Sequence, residues 1–324
     1  MVELENLPLV SVIMPLFNKC AYVTESIENV LNQTYPNIEL IIVDDGSTDG
    51  SLEIARNYEG EKVKVIEQQH LGACHARNVA FDISKGEYIQ YLDADDLMSL
   101  EKIEAQIHRL QGCSQGTMAI CRFACFSDSI SNLDGGRCNK SWCRDYSSTR
   151  EASILYLRSN LVLHTFLIHR NLIKAVGEWN ENLLIRQDVD FIARVIHVAN
   201  KLVYCPQVMA YYRNTPCSVS KRSLDDPKVF TSLIHAYRTQ TKAVMEDLSP
   251  YSKKVCAQFY RDNVRFYYLH SHKDLSKALN IESQLLGLHN WSDTWKMHWK
   301  PWMWSFYLFL CYRIAAPIYR LIKS

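Results

Sequence analysis

The sequence of 324 residues lacks several features that define large classes of proteins. Its 36 basic and 35 acidic residues nearly cancel, so no excess of positive charge indicates a nucleic-acid partner. Eleven cysteines occur without a CxxC or HxxxH spacing, which argues against a zinc site. No apolar stretch reaches the ~20 residues that a spanning helix needs. Residues 1–6 do not resemble a secretory signal, so we expect a cytoplasmic protein.

What the chain does contain is a regular alternation of strand-like and helix-like segments in its first hundred residues. The predicted strands are 10–14, 39–43, 62–66 and 87–92, and the predicted helices are 22–33, 51–58 and 72–83. Pro15 is expected to end the first strand, because proline cannot donate to a β-ladder. Such alternation favours βαβ units with right-handed connections on a mostly parallel sheet.

The rest of the chain divides into a mixed region and a helical one. Further strands are predicted over 118–126, 161–169 and 203–212, helices over 171–176 and 188–198, and a loop or hairpin over 127–150. After residue 225 the pattern is helical throughout. We therefore predict an α/β domain over residues 1–222 and a helical region over 223–324.

Three carboxylates follow the fourth predicted strand directly, at Asp93, Asp95 and Asp96. Like charges a few ångströms apart repel and raise each other's pKa. A hard divalent metal relieves that repulsion, and it usually shares such ligands with substrate phosphates. The alternative is an acidic loop that caps the next helix, a role expected of Asp96 in either case.

Four segments resemble the signatures of the family 2 glycosyltransferases of the GT-A fold. They are VSVIMPLFN (10–18), VDDGSTD (43–49), GACHARN (72–78) and GEYIQYLDAD (86–95), in the family's order and spacing. The resemblance covers roughly residues 8–215. It implies an α/β fold of the GT-A nucleotide-diphospho-sugar transferase type, a Rossmann-like mixed sheet flanked by helices, here with a C-terminal helical extension.

The resemblance also implies a nucleotide site. Its six expected contacts are Pro15, Phe17, Asp45, Arg77, Asp93 and Arg213. Asp45 would accept a hydrogen bond from a uracil imide or a ribose hydroxyl; a turn with Ser47 or Thr48 as helix cap is the alternative, and both can hold at once. Arg77 offers a rigid fork to phosphate or ribose oxygens, with a surface salt bridge as the alternative.

The resemblance further implies a cofactor and a catalytic base. Asp93 and Asp95 would hold Mg²⁺ or Mn²⁺ against the diphosphate, and Asp95 is the better candidate for a direct ligand. The segment 177–191 resembles the family's acceptor-side motif, in which Asp188 would be the base of a single inverting displacement. Gln187 stands where the family commonly has glutamate, and Asp190 is the rival candidate for the base.

The last segment, 291–324, combines aromatic and basic residues. Its tryptophans are Trp291, Trp295, Trp299, Trp302 and Trp304, and its basic residues include Lys296, Lys300, Arg313, Arg320 and Lys323. Interfacial tryptophans with basic flanks are typical of a helix lying in an anionic membrane surface. We therefore expect peripheral contact with the inner face of the cell membrane. A helix docked on the core, or on a second copy in a homo-oligomer, is the alternative.

The expected function is a metal-dependent inverting glycosyltransferase of the hexosyltransferase type. Its partners would be a nucleotide-sugar donor and a glycan or lipid-linked acceptor in surface polysaccharide or glycolipid synthesis. The resemblance to the family favours UDP as the nucleotide of the donor. A catalytically inactive nucleotide-binding module that regulates a partner is the alternative, favoured by Gln187. A Rossmann oxidoreductase is excluded, because no GxGxxG follows the first strand. A processive synthase is disfavoured because it needs several spanning helices.

Overall fold

A computed structural model describes residues 7–133, 141–215, 226–246, 249–269 and 272–288 of the chain. The chain divides into two compact units between Glu246 and Asp247. The first unit contains a mixed sheet with flanking helices, and the described part of the second is helical. The predicted boundary at 222/223 falls among residues outside the described ranges and stays a prediction.

The first half of the sheet follows the predicted alternation of strands and helices. Its strands are β1 (Val10–Leu16), β2 (Ile38–Asp44), β3 (Val63–Glu67) and β4 (Tyr88–Tyr91), and its helices are α1 (Val23–Leu31), α2 (Ser51–Arg56) and α3 (Ala73–Ile83). The four strands are parallel, in the order β3-β2-β1-β4. Pro15 does not end β1, because the register with β2 continues through Pro15 to Leu16.

The second half of the sheet is mixed. Its elements are β5 (Leu97–Met98), α4 (Lys102–Leu110), β6 (Thr117–Phe126), α5 (Thr149–Arg158), β7 (Phe166–His169), α6 (Arg170–Val176), α7 (Gln187–Val198), β8 (Lys201–Arg213) and α8 (Pro227–Met245). The strand order is β3-β2-β1-β4-β7-β6-β8-β5. β7 runs antiparallel to both β4 and β6, whereas β8 is parallel to β6. The predicted mixed α/β class is therefore confirmed.

Three elements differ from the prediction. Helix α5 begins at the end of the stretch that we expected to be a loop or hairpin, with Ser148 accepting a hydrogen bond from Glu151 N. The predicted strand 161–169 is a 3₁₀ turn over Leu163–Thr165 followed by the four residues of β7. The two-residue strand β5 pairs antiparallel with β8 and was not predicted.

Apolar side chains pack on both faces of the sheet, as expected for strands that are hydrophobic throughout. Ile13 of β1 belongs to a cluster with α3, α5 and α7, whereas its neighbours Val12 and Met14 belong to a cluster with α1 and α4. The sheet is thus the middle layer of the first unit. Loops at its edge are the exposed places where polar chemistry can lie.

The second unit contains α9 (Pro250–Leu269) and α10 (Lys273–Leu285), which pack against each other. Ser276 Oγ donates to Val264 O at 2.9 Å, and Tyr260, Leu275 and Leu279 are buried. These helices agree with the helical pattern predicted after residue 225. Among the described residues, no helix is both long and apolar enough to cross a bilayer. The predicted membrane segment 291–324 lies outside the described residues.

Candidate functional site

The loops that follow β1 and β2 are joined into one rigid edge of the sheet. Four hydrogen bonds connect them: Asn18 N to Ser47 Oγ (3.0 Å), Thr48 N to Asn18 Oδ1 (2.9 Å), Lys19 N to Ser51 Oγ (2.8 Å) and Cys20 N to Asp49 Oδ2 (3.0 Å). Asn18 has a φ of 49°, a left-handed conformation that asparagine tolerates better than most residues. These bonds fix the backbone at the carboxyl ends of two neighbouring strands, where α/β proteins bind ligands.

Asp45 connects β2 to the loop that precedes α3. Its buried carboxylate accepts hydrogen bonds from Leu71 N at 2.8 Å, Gly72 N at 3.0 Å and Gln68 Nε2 at 2.7 Å. Its Oδ2 lies 3.0 Å from His70 Nδ1. Asp45 Oδ2 also accepts from Gly72 N at 3.0 Å, so the carboxylate ties the end of β2 to the loop before α3. The contact of Asp45 with a nucleotide base stays a prediction.

The turn after Asp44 differs in detail from the expected helix cap. Asp44 Oδ2 accepts from Gly46 N and Ser47 N, which closes the turn. Helix α2 begins after Gly50, and Asp49 Oδ1 accepts from Ser51 N at 3.0 Å. The cap role expected of Ser47 or Thr48 is therefore wrong, because Gly50 is the N-cap residue of α2 and Ser47 Oγ accepts from Asn18 N instead.

An exposed aromatic pair lies beside Asp45. The rings of Phe17 and His70 stack with centroids 4.3 Å apart and an interplanar angle of 28°. Phe17 is 40% exposed, so one side of the stacked pair is open to solvent. Sequence reasoning assigned no role to His70. The pair forms a flat surface on which a planar ring could stack, with the Asp45 carboxylate at its side.

The three aspartates after β4 form a closed turn, in which Asp96 N donates to Asp93 O at 3.0 Å. Asp93 Oδ1 accepts from Arg77 Nη2 at 2.7 Å. Asp95 contacts Lys19 Nζ. Asp96 is buried, accepts from Arg213 N at 2.8 Å and lies 3.3 Å from His164. Asp96 therefore does not cap a helix, because α4 begins at Lys102 and Asp96 packs beneath the turn.

The three carboxylates ionise differently because their surroundings differ. Burial opposes ionisation of Asp93, but the charge and hydrogen bond of Arg77 outweigh it and lower the pKa. Burial raises the pKa of Asp95 despite Lys19, and the charge on Asp93 adds to the increase. Burial and the two neighbouring carboxylates raise the pKa of Asp96 well above its ordinary value. Of the three carboxyl groups, Asp93 thus loses its proton most readily and Asp96 least readily.

Arg77 joins the acidic turn to α7. Its side chain is buried rather than on the surface, and its guanidinium lies 4.5 Å over the ring of Trp179. Besides its pair with Asp93, it donates from Nη1 to Gln187 Oε1 at 3.3 Å. Burial opposes the charge, but Asp93 outweighs it and raises the pKa of Arg77 further. Nε has no hydrogen-bond partner among the described residues.

The neutral amide of Gln187 makes contacts that a glutamate could not. Its Nε2 donates to Leu183 O at 2.7 Å, while its Oε1 accepts from Arg77. A carboxylate at this position would only accept hydrogen bonds, and its charge would add to those of Asp93 and Asp188. The departure from the family's usual residue is therefore matched to its surroundings in this chain.

The structure separates the two candidate bases on α7. Asp190 is buried, accepts from Thr239 Oγ1 at 2.6 Å and from Arg194 Nε at 3.1 Å, and so connects α7 to α8. Asp188, in the first turn of α7, is only partly buried. Burial raises its pKa, the charge on Asp93 adds to the increase, and Arg186 opposes it. Of the two, only Asp188 is partly accessible to solvent, and its role as the base stays a prediction.

Arg213 lies beneath the acidic turn. It is buried, its Nε donates to Asp95 O at 2.8 Å, and its Nη2 pairs with Glu25. The guanidinium also lies 4.3 Å over the ring of Phe126. A phosphate would have to compete with Glu25 for this fork. The predicted phosphate contact of Arg213 stays a prediction, while its support of the turn is a feature that sequence reasoning missed.

The donor set at the turn fits a divalent metal only in part. Within the described ranges, no group of three or more His, Cys, Asp or Glu residues is arranged to hold a metal ion. Two carboxylates, Asp93 and Asp95, flank the turn, and Mg²⁺ is commonly bound by one or two carboxylates together with substrate phosphates. The residues therefore fit a site that a diphosphate would complete, and the metal role of Asp93 and Asp95 stays a prediction.

Comparison with known proteins gives one family. The family model described as "Glycosyl transferase family 2" matches residues 11–177 of this chain. Glycosyltransferase GlyG of Streptococcus pneumoniae serotype 4 is 30% identical over 227 residues, which cover 67% of this chain and 74% of the relative. An uncharacterized glycosyltransferase of Haemophilus influenzae is 42% identical over 106 residues, covering 32% and 42%.

A third relative has a more specific name. The UDP-Glc:alpha-D-GlcNAc-diphosphoundecaprenol beta-1,3-glucosyltransferase WfaP of Escherichia coli is 40% identical over 104 residues. The alignment covers 32% of this chain and 41% of the relative. The matched part thus spans less than half the length of two of these three relatives.

Solved structures share the fold. S. aureus TarS 1–349 in complex with UDP-GlcNAc has a TM-score of 0.64 at 20% identity, covering 80% of this chain and 73% of that chain. The mannosyltransferase PcManGT from Pyrobaculum calidifontis, in complex with GDP-Man and Mn²⁺, has a TM-score of 0.56 at 16% identity, covering 99% and 89%. The predicted GT-A fold is therefore confirmed.

Proposed function

The chain belongs to glycosyl transferase family 2, and we propose that it moves a sugar from a UDP-linked donor to a hydroxyl of a glycan or lipid-linked acceptor. The observation that carries this proposal is the turn formed by Asp93, Asp95 and Asp96, in which Asp93 pairs with Arg77 and Asp95 pairs with Lys19. Lys19 contacts this turn and follows Phe17 by two residues, so the acidic turn and the aromatic pair share one loop cluster.

The nucleotide half of the donor would occupy the surface made by Phe17, His70 and Asp45. The uracil ring would stack on the exposed aromatic pair, and its imide N–H would donate to Asp45 Oδ2. Pro15 precedes this surface in β1 and helps to fix the loop that carries Phe17. The UDP-GlcNAc complex of a protein with the same fold supports the choice of a uridine nucleotide.

The diphosphate would lie against Asp93 and Asp95, and Arg77 would orient the first of these. These two carboxylates would hold Mg²⁺ or Mn²⁺ together with the phosphates. A divalent ion there supplies positive charge that stabilises the departing nucleotide. The Mn²⁺ complex of the second structural neighbour supports this assignment.

Asp188 would accept the proton of the acceptor hydroxyl as its oxygen attacks the sugar carbon. Because its pKa is raised, Asp188 is a stronger base than an ordinary aspartate. A single displacement with the base and the leaving group on opposite sides of the sugar inverts the configuration at that carbon. The lipid-linked substrate in the name of one relative supports a similar acceptor, which the segment 291–324 would bring near a membrane surface.

Release of UDP tests the proposal. We expect the purified full chain to release UDP from a UDP-hexose in the presence of Mn²⁺ and to stop when EDTA removes the metal. Asp95→Asn should lower that rate by about a hundredfold or more, a typical cost of losing charge stabilisation in a transition state. Asp82→Asn, which changes an exposed acid on α3, is the matched control.

The same assay addresses the alternative function. If the chain bound UDP but turned over no member of a broad panel of donors and acceptors, it would be a nucleotide-binding module rather than an enzyme. Unchanged turnover of Asp95→Asn would instead contradict the role given to the acidic turn.

A further inference from the structure

The backbone of Lys19 is held by hydrogen bonds, whereas its long charged side chain extends to the acidic turn. Its amide donates to Ser51 Oγ, and the residues on either side of it are bonded to the loop after β2. Its Nζ, at the end of a flexible four-carbon stem, contacts the Asp95 carboxylate. Lys19 is 23% exposed and Asp95 14%, so the contact lies at the surface of the site rather than inside the core.

The charges at the turn are nearly balanced in this arrangement. Asp93 pairs with Arg77 and Asp95 pairs with Lys19, while the guanidinium of Arg213 donates to the main-chain oxygen of Asp95 and pairs with Glu25. A divalent cation placed beside Asp95 would meet the ammonium of Lys19 at close range. Like charges a few ångströms apart repel strongly in a partly buried site.

Neither arginine side chain can easily move to admit a divalent cation, whereas the Lys19 side chain can. Arg77 is packed over Trp179 and bonded to Gln187, and Arg213 is packed over Phe126. Within the part of the chain that the structure describes, Lys19 stacks on no aromatic ring, and its ammonium can rotate away by changes in side-chain torsions alone. An ammonium that leaves Asp95 needs an anion, and a diphosphate beside the turn would be one.

We infer that Lys19 is a built-in counter-ion that competes with a divalent metal for Asp95 and makes metal and nucleotide bind cooperatively. Without nucleotide, Lys19 holds Asp95 and metal binding is weak. When a diphosphate enters, it draws the ammonium away and Asp95 becomes free for the metal. By thermodynamic reciprocity, the metal must then raise the affinity for the nucleotide by the same factor. The inference rests on the proposed metal and nucleotide site.

Mn²⁺ binding to the full chain tests the inference without any measurement of activity. Free Mn²⁺ is measured by electron paramagnetic resonance during titration, with and without UDP. In the unmodified chain we expect UDP to tighten Mn²⁺ binding by about tenfold or more, within the usual range of coupling between two sites. In Lys19→Met we expect tighter Mn²⁺ binding without UDP, by about tenfold, and a smaller effect of UDP.

Two controls keep the result interpretable. Lys62→Met removes the same charge at the start of β3, at the opposite end of the strands, and should behave like the unmodified chain. Lys19→Arg keeps a positive charge at the site and should still bind Mn²⁺ weakly in the absence of UDP. If circular dichroism shows that Lys19→Met is unfolded, Lys19→Gln replaces it, because its amide can still donate to Asp95.

The outcomes separate the inference from the proposed function. Equal Mn²⁺ affinity of Lys19→Met and the unmodified chain without UDP would overturn the inference, even if both bind Mn²⁺ in its presence. A chain that binds no Mn²⁺ with UDP present, in either form, would overturn the proposed metal site itself.

Discussion

At the scale of single residues, Asp188 gives the clearest test of the proposed chemistry. Its pKa is raised by burial and by Asp93, so the base is lost by protonation at a higher pH than for an ordinary aspartate. We expect kcat/KM to fall tenfold per pH unit below that pKa. Asp188→Asn should lower kcat by about 10²- to 10⁴-fold and remove this acidic limb. A pH–rate profile of both proteins is the measurement.

Asp190→Asn is the control for that prediction. Asp190 is bonded to Thr239 and Arg194 inside the unit, so its substitution should lower the unfolding temperature while most of the turnover remains. If Asp190→Asn abolished turnover in a folded protein and Asp188→Asn did not, the two roles would have to be exchanged.

The buried Lys102 should make the free energy of unfolding depend on pH. It is fully buried, its Nζ donates to Gln90 Oε1 at 2.5 Å and Gln106 Oε1 at 2.7 Å, and burial lowers its pKa to about 8. The unfolded chain, with a lysine pKa near ~10.4, holds more protons than the folded chain between these values, so stability rises with pH there. The gain is roughly 3 kcal/mol at ~1.36 kcal/mol per pKa unit.

Urea unfolding at a series of pH values checks this gain. Lys102→Met should lose the rise between pH 8 and ~10.4, although both glutamine oxygens then lack their donor and the variant is less stable overall. A rise of equal size in the variant would mean that other groups cause it.

At the scale of elements, the prediction succeeded where hydrophobic pattern alone determines structure. Strands β1 and β2 are largely apolar on both faces, and the three helices between β1 and β4 show helical spacing, so short-range information is sufficient. Helix α5 was missed although Ser148 and Glu151 form the start signal of a helix. β5 has two residues, too few to show any period.

The site residues divide in the same way, into those that local sequence indicates and those that only the fold brings together. Asp93, Asp95 and Asp188 were proposed from the sequence because motifs place acids at the ends of strands and helices, and their roles stay predictions. Lys19 was missed because its partner Asp95 lies 76 residues away, and only the fold brings them together. The contact of His164 with Asp96 was missed for the same reason.

The cap of α5 gives a prediction at this scale. Ser148 accepts from Glu151 N and so satisfies one of the free amides at the start of the helix. Ser148→Ala should destabilise the chain by about 1 kcal/mol, the usual cost of losing such a cap. Denaturant unfolding measures it, with the neighbouring exposed Ser147→Ala as control. Equal stability of the two variants would show that the cap contributes nothing measurable.

At the scale of the whole molecule, charge is distributed in a way that the overall balance conceals. The formal net charge is +1, yet the segment 291–324 carries basic residues and five tryptophans. Each basic residue near an anionic bilayer contributes about 1 kcal/mol of attraction, and interfacial tryptophans add to it. We therefore expect this segment to control binding to a membrane surface rather than the chemistry of the site.

Truncation after Leu288 keeps every described residue and removes the basic, tryptophan-rich segment. We expect the full chain to sediment with vesicles of anionic lipid but not with neutral vesicles, and to be released by high salt because the attraction is screened. The truncated chain should stay in the supernatant and still release UDP from a soluble donor. If it sedimented as the full chain does, the first unit or the helix pair α9–α10 would have to supply the attachment. The membrane role of the last segment would then be wrong.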